Sequence, residues 1–213
     1  MKIIVKNATK VIKGATILKN VNIELESGRI YGLQGPNGGG KTMLMRLVCG
    51  LIRPTEGEVF LDDKRLGKDM DFPASLGLLI ENPAFLPGYT GLNNLHMLAR
   101  LQNRIGIEQI RQTLSEVGLD PDDKRKYRKF SLGMKQRLGI AAAIMEKPSL
   151  ILLDEPTNAL DEAGVEQICQ LIRRERDRGA LIILACHDAN VLESLSDEIF
   201  TICDGRVERK AIT

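Results

Sequence analysis

Residues 35 to 42 read Gly-Pro-Asn-Gly-Gly-Gly-Lys-Thr. So many glycines beside one lysine leave little choice of fold. Such a loop works only when its backbone N–H groups converge on one point, with a buried strand ahead of it and a helix N-terminus behind it. Both flanks are present: Arg29 to Leu33 is a short apolar run of buried-strand type, and about Lys41 to Cys49 reads as helix. The spacing fits G-x-x-x-x-G-K-[ST]. In that pattern Gly35, Pro36, Asn37, Gly38, Gly39 and Gly40 wrap phosphates with their backbone, Lys41 neutralises the β and γ groups, and Thr42 ligates Mg2+. A flexible glycine turn is the alternative, but a chance match in a chain of this length is on the order of one in a hundred from average residue usage. The strand–loop–helix context favours nucleotide binding.

The rest of the chain supplies a matching frame. Lys2 to Val5, Asn22 to Leu25 and Glu58 to Asp62 alternate as short strands of an antiparallel portion, with Glu26-Ser27-Gly28 as a turn signal. Thr90 caps a helix with Leu92, Leu95, Leu98 and Leu101 on one side, and Ile107, Ile110, Leu114 and Val117 repeat the pattern. Ser131 and Gly133 form a turn at the start of another helix, and Asp120 to Lys126 is a charged, solvated linker. LILLDEP and ALIILAC are apolar runs of parallel-strand type, separated by a helix from about Asp161 to Arg178. The expected fold is therefore α/β: a P-loop core with a mainly parallel sheet, an antiparallel β portion, and a helical insertion. One domain spans 1–213, with the α/β core at 1–81 and 147–213 and the helical subdomain at 82–146.

A second cluster of chemistry follows the strand Leu150 to Leu153. Asp154 can hold Mg2+ through water, and Glu155 can accept a proton from an attacking water. An acid pair after a buried strand is often only a helix N-terminus, and the P-loop upstream changes that balance. His187 follows ALIILAC and reaches the carboxyl edge of the sheet, where ligands bind in open α/β folds. His96, alone on the helical insertion, reads as an ordinary surface or core histidine.

Composition sets limits on partners. Among 213 residues, 30 Lys plus Arg against 28 Asp plus Glu leave a net charge of +2, too even to indicate nucleic acid or an anionic surface. Cys49, Cys169, Cys186 and Cys203 lack metal-binding spacing and read as buried thiols of a reducing compartment. The first residues have too short an apolar run for a signal peptide. No window approaches the roughly 18 apolar residues of a membrane helix, so a cytoplasmic chain, or one docked on a membrane component, is expected.

Taken together, GPNGGGKT, FSLGMKQR, ILLDEP, NALD and LACHD follow the order and spacing of the ATP-binding subunits of ABC transporters, and the chain resembles that family along essentially its whole length. The resemblance implies an ATPase that uses ATP and Mg2+ and joins a second ATP-binding subunit in a head-to-tail homodimer. It also implies integral-membrane permease subunits as partners, a place on the inner face of the membrane, and no nucleic acid. Each ATP would lie between one subunit's P-loop and the other's Ser131 and Gly133. By position, Asp154 is the Walker B acid, Glu155 the base, Asp161 the D-loop acid, His187 the switch histidine, and Glu81 stands where the family usually has a glutamine that touches Mg2+ and water. Glu81 together with SLGMKQR resembles the subgroup that exports bacitracin-type and lantibiotic peptides. The chain departs from the family pattern at Met134 in the signature, at Met43 after the P-loop threonine, and at about Ile12, where a base-stacking aromatic is usual. Alternatives are a non-transport ATPase of the same class, or a nucleotide-gated binding module with weak hydrolysis.

Overall fold

The computed structural model describes residues 1–81 and 83–210. The chain opens with a long hairpin, β1 (Lys2–Ile12) and β2 (Ala15–Glu26). It is closed by Lys13 and Gly14, both at positive φ (48° and 82°), the backbone twist that two-residue hairpin turns require. The short runs expected from alternation at Lys2 to Val5 and Asn22 to Leu25 are thus the first part of β1 and the last part of β2. With β4 (Glu56–Leu61) and β5 (Lys64–Arg65) the hairpin makes a four-stranded antiparallel sheet of order β2-β1-β4-β5.

The second sheet carries the loops of interest. Its order is β10-β9-β3-β8-β7-β6, from β3 (Arg29–Gln34), β6 (Leu76–Leu79), β7 (Leu150–Asp154), β8 (Leu181–Ala185), β9 (Glu198–Cys203) and β10 (Arg206–Lys210). All neighbours pair in parallel except β9 with β10. β7 and β8 are buried at every position, as strands covered on both faces must be. Their inward-facing sides serve two cores. Leu150, Leu152, Leu181 and Ile183 join the antiparallel sheet and the helix α1 (Lys41–Val48), while Ile151, Leu153, Ile182 and Leu184 join the other helices.

Those helices are α2 (Gly91–Gln102), α3 (Ile107–Glu116), α4 (Leu132–Ile144), α5 (Glu162–Asp177) and α6 (Ala189–Leu195). Thr90 caps α2 through the Asn93 N–H, as expected. The leucine stripe of α2 is corrected: Leu95 is buried, but Leu98 is half-exposed and Leu101 is 80% exposed. A spacing of three slips backward by about 60° per step on a helix of 3.6 residues per turn, so Leu101 has rotated to the far side from Leu92. Gly91, Asn94, Leu95 and Ala99 form the buried face instead. In α3 and its C-cap the alternation of three and four holds most of the stripe: Ile110, Leu114 and Val117 are buried, but Ile107, the first residue of the helix, is exposed. Cys203 also departs from expectation. Cys49, Cys169 and Cys186 are buried, but Cys203 is exposed because it shares the outward side of β9 with Thr201. No described helix is long and apolar enough to cross a membrane.

Candidate nucleotide site

Three neighbouring strands, β3, β8 and β7, end on the same edge of the sheet. The loops that leave them bring Lys41, His187, Asp154 and Glu155 to one cleft of about 620 Å³. It is also lined by Pro36, Asn37, Gly38, Gly40, Thr42, Met43 and Glu81. This edge is where open α/β sheets bind ligands, and the volume is ample for a small molecule.

The loop from β3 to α1 is shaped by close approach. Gly35 has φ 154°, and a Cβ there would stand 2.0 Å from the Ile202 carbonyl oxygen. Gly40 precedes α1 at φ 116°, with no side chain capping the helix. The first N–H groups of α1 are therefore open toward the cleft, as an anion site needs. Lys41 is 8% exposed. Its Nζ donates to Gly35 O at 2.7 Å and Pro36 O at 3.1 Å, leaving one of its three donors free. Among the described residues no carboxylate lies within ion-pair distance of it. Thr42 Oγ1 donates to Asp154 Oδ2 at 2.7 Å, joining residues 112 positions apart.

Glu155 is the most constrained residue of the site. Its φ is +53°, unusual for a residue with a side chain. Its N–H donates to Ala185 O at 2.9 Å, and its Oε2 accepts from the His187 N–H at 3.0 Å. Among the described residues Oε1 is buried without a hydrogen-bond partner, and His187 Nε2 lies 3.3 Å away. Burial pushes the Glu155 carboxyl above the ordinary glutamate range. Asp154 adds to the rise, and His187 and Lys41 act against it.

The structure separates other expected site residues from this cleft. Ser131 caps α4, its Oγ accepting from the Met134 N–H at 3.2 Å, so the helix starts at Leu132 and not after Gly133. Ser131 is exposed, and neither it nor Gly133 lines the cleft. A Cβ on Gly133 would stand 2.7 Å from Ala159 O, so glycine is required there for packing within the chain. Asp161 lies outside the cleft too. It caps α5 by accepting from the Gly164 N–H at 3.1 Å and lies 3.8 Å from Arg137 Nη2. Gly35 and Gly39 are also absent from the lining, and Ile17, not Ile12, faces the cleft.

Glu81 lines the cleft at φ +61°, and its carboxylate is paired with the Arg46 guanidinium on α1. Sequence reasoning found Glu81 but missed Arg46, 35 positions away. It also missed Leu132, Gln136, Asn158 and Ala159, all in the lining. Leu132 and Gln136 flank positions already marked in FSLGMKQR, and Asn158 and Ala159 begin NALD, so the motifs carried the signal. Phe85, Tyr127 and Phe130 form an aromatic chain, with ring centroids 5.4 and 5.9 Å apart, from the loop after Glu81 to the start of α4.

Comparison with known proteins agrees with this geometry. Residues 18–158 match the family model described as ABC transporter. The chain is 47% identical over 204 residues to the ABC transporter ATP-binding protein YybJ of Bacillus subtilis (strain 168), covering 96% of this chain and 94% of that protein. It is 35% identical to the bacitracin transport ATP-binding protein BcrA of Enterococcus faecalis (95% and 66% covered) and 34% identical to the lantibiotic transport ATP-binding protein SrtF of Streptococcus pyogenes (95% and 87%). Among solved structures it is similar to the ATP-binding cassette MJ0796 in a dimeric post-hydrolysis state bound to ADP and Pi, at 28% identity and a TM-score of 0.88, covering 98% of this chain and 97% of that one. With its phosphate loop, its acid pair and its histidine gathered at one sheet edge, the chain belongs to the ABC transporter family, as an ATP-binding and ATP-hydrolysing subunit.

Proposed function

We propose that this subunit hydrolyses ATP at sites shared between two copies, and that the cycle drives a membrane permease exporting a peptide antibiotic. The observation that carries the reading is the convergence of Lys41, the Thr42–Asp154 oxygen pair and the unpaired Glu155 Oε1 on one cleft. Lys41 gives its free N–H and its charge to the β and γ phosphates, and the N–H groups of residues 38 to 42 close round them. The 2.7 Å hydrogen bond from Thr42 Oγ1 to Asp154 Oδ2 sets a hydroxyl that can ligate a metal beside a carboxylate that can hold its bound water. They, with Glu81, would hold Mg2+, which when bound neutralises phosphate charge. Glu155 Oε1 takes the proton of the attacking water. His187, exposed at the cleft's edge, orients that carboxylate and meets the γ phosphate. Asp161, capping α5 through the Gly164 N–H, ends the turn that follows Glu155.

Ser131 and Gly133 are the γ-phosphate grip of the opposite copy. Ser131 stands open at a helix N-terminus outside its own cleft, which supports a head-to-tail pair. Mixing variants tests this. Lys41→Ala in one chain and Ser131→Asp in the other put both lesions in one site and leave the second intact. Aspartate caps a helix as well as serine does but sets a negative charge against the triphosphate; Gly133→Asp would instead strike Ala159. Each homodimer should be inactive and the mixed dimer should recover about half the parental rate of phosphate release. A silent mixed dimer, its assembly verified, would sink the shared site.

The peptide cargo rests on the names of BcrA and SrtF, and a place on the cytoplasmic face of the membrane follows from the permease partner. Purifying the tagged subunit from its own membranes should recover an integral-membrane protein; recovering ribosomes would favour the non-transport reading.

Glu81 has a metal-linked role. An exposed ion pair such as Arg46–Glu81, with side chains 29% and 65% exposed, contributes at most about 1 kcal/mol, so it opens readily when Mg2+ and triphosphate arrive. Glu81→Gln should leave basal hydrolysis within roughly tenfold while weakening the Mg2+ dependence and the stimulation by the permease. ATPase rates against Mg2+ concentration, with and without permease in lipid, provide the check. Identical curves for variant and parent would defeat it.

A further inference from the structure

We infer that Gln136 is a positioning residue for the catalytic base, tying the helix that begins at Ser131 to the peptide that aims Glu155 in the same chain. Gln136 is one of few buried polar side chains, 8% exposed. Its Nε2 donates to the Glu155 carbonyl oxygen at 2.8 Å. That carbonyl also accepts from the Asn158 N–H at 3.2 Å, so both of its lone pairs are used. On the other side the Glu155 N–H is held by Ala185 on β8. The residue between these anchors adopts a left-handed φ of +53°, a conformation that persists for glutamate only where the surroundings over-determine it. Gln136 is the one side chain of α4 that supplies such an anchor, and the conformation it secures turns the carboxylate back to the His187 N–H.

The placement of Gln136 gives this bond a reach beyond Glu155. It lies five residues after the cap Ser131 on a continuous helix, about 7.5 Å along the axis at 1.5 Å per residue. One turn later Gly139 packs so closely on Leu79 and Pro83 that a Cβ would stand 2.8 and 2.9 Å from them. A shift of α4, whose open end faces the second copy, is therefore delivered to the Glu155 carbonyl through one short bond.

This inference rests on the reading of Glu155 as the base, and the test separates the two. Gln136→Met keeps length and volume without a donor; Gln136→Glu keeps size and polarity but offers an acceptor to an acceptor. Each is assayed in the full-length chain with ATP and Mg2+, rates being scaled to sites that bind nucleotide. Expected is a fall in kcat of roughly 10- to 100-fold, the scale of a small misplacement of a reacting group, with KM and ATP affinity within about twofold of the parent. In the Glu155→Gln background, measured by single turnover, Gln136→Met should cost less than about twofold more. An unchanged kcat, or the same cost in both backgrounds, would overturn the positioning role. Parental turnover by Glu155→Gln alone would remove the base itself, and this inference with it.

Discussion

Lys41→Ala should abolish ATP binding and turnover together. Lys41 is 8% exposed, and among the described residues its ammonium bonds only to the Gly35 and Pro36 carbonyls. A unit charge 4 Å from a phosphate charge, at an effective dielectric near 20, is worth about 4 kcal/mol, or roughly three decades of affinity. The loss is larger than charge alone, because without the ammonium two carbonyl oxygens remain turned into the loop. Arginine would not restore it, since its planar fork demands more room than a point charge. Alanine is the best helix former and Lys41 is the first residue of α1, so the variant should stay folded. Calorimetric titration with ATP, beside a melting curve, checks both points. Unchanged affinity in a folded variant would remove the assignment of the phosphate loop.

What could be read in the sequence was what lies contiguous in the chain. The strand, loop and helix around residues 29 to 49 are adjacent, and one glycine spacing encodes their geometry. The same holds for Asp154 and Glu155 at the end of an apolar strand, and for Asp161, whose helix begins where its side chain caps it. Pairings across distance were not legible. Thr42 with Asp154, Arg46 with Glu81, and Gln136 with the Glu155 carbonyl each depend on two elements packed together, and neither partner's local sequence specifies the other. β6 escaped because Leu76 to Leu79 is short and its apolar run has no alternation. β6 pairs in parallel with β7, and α4 packs on it so closely that a Cβ on Gly77 would stand 1.9 Å from the Ala143 carbonyl oxygen. Gly133 was read for the ligand it would touch, while packing on Ala159 already demands glycine there.

Glu155→Gln should lower turnover by roughly 10²- to 10⁴-fold and leave ATP binding intact. The substitution preserves the oxygen that accepts from the His187 N–H and removes only the proton acceptor at Oε1. On the shared-site reading, ATP that is bound but not cleaved bridges two copies, so the variant should form ATP-dependent dimers by light scattering; a variant that binds ATP and stays monomeric would count against the sandwich. A second consequence concerns the nucleotide-free chain. Burial, with help from Asp154 and against His187 and Lys41, holds the Glu155 carboxyl above its ordinary value. Below about pH 4.3, the unperturbed glutamate value, the carboxyl is neutral whether folded or unfolded and costs nothing. As pH rises, the unfolded chain ionises first, and through the raised folded value the native state bears a charge it disfavours, so stability falls. Glu155→Gln abolishes that cost. Its melting temperature should match the parent's near pH 4 and exceed it at pH 7 to 8, the direction opposite to that of an ordinary salt-bridged carboxylate. A variant that melts below the parent at neutral pH would mean that the ionised carboxylate is stabilised by His187 and Lys41 more than burial opposes it. The base would then be held in place by attraction and not against a desolvation cost.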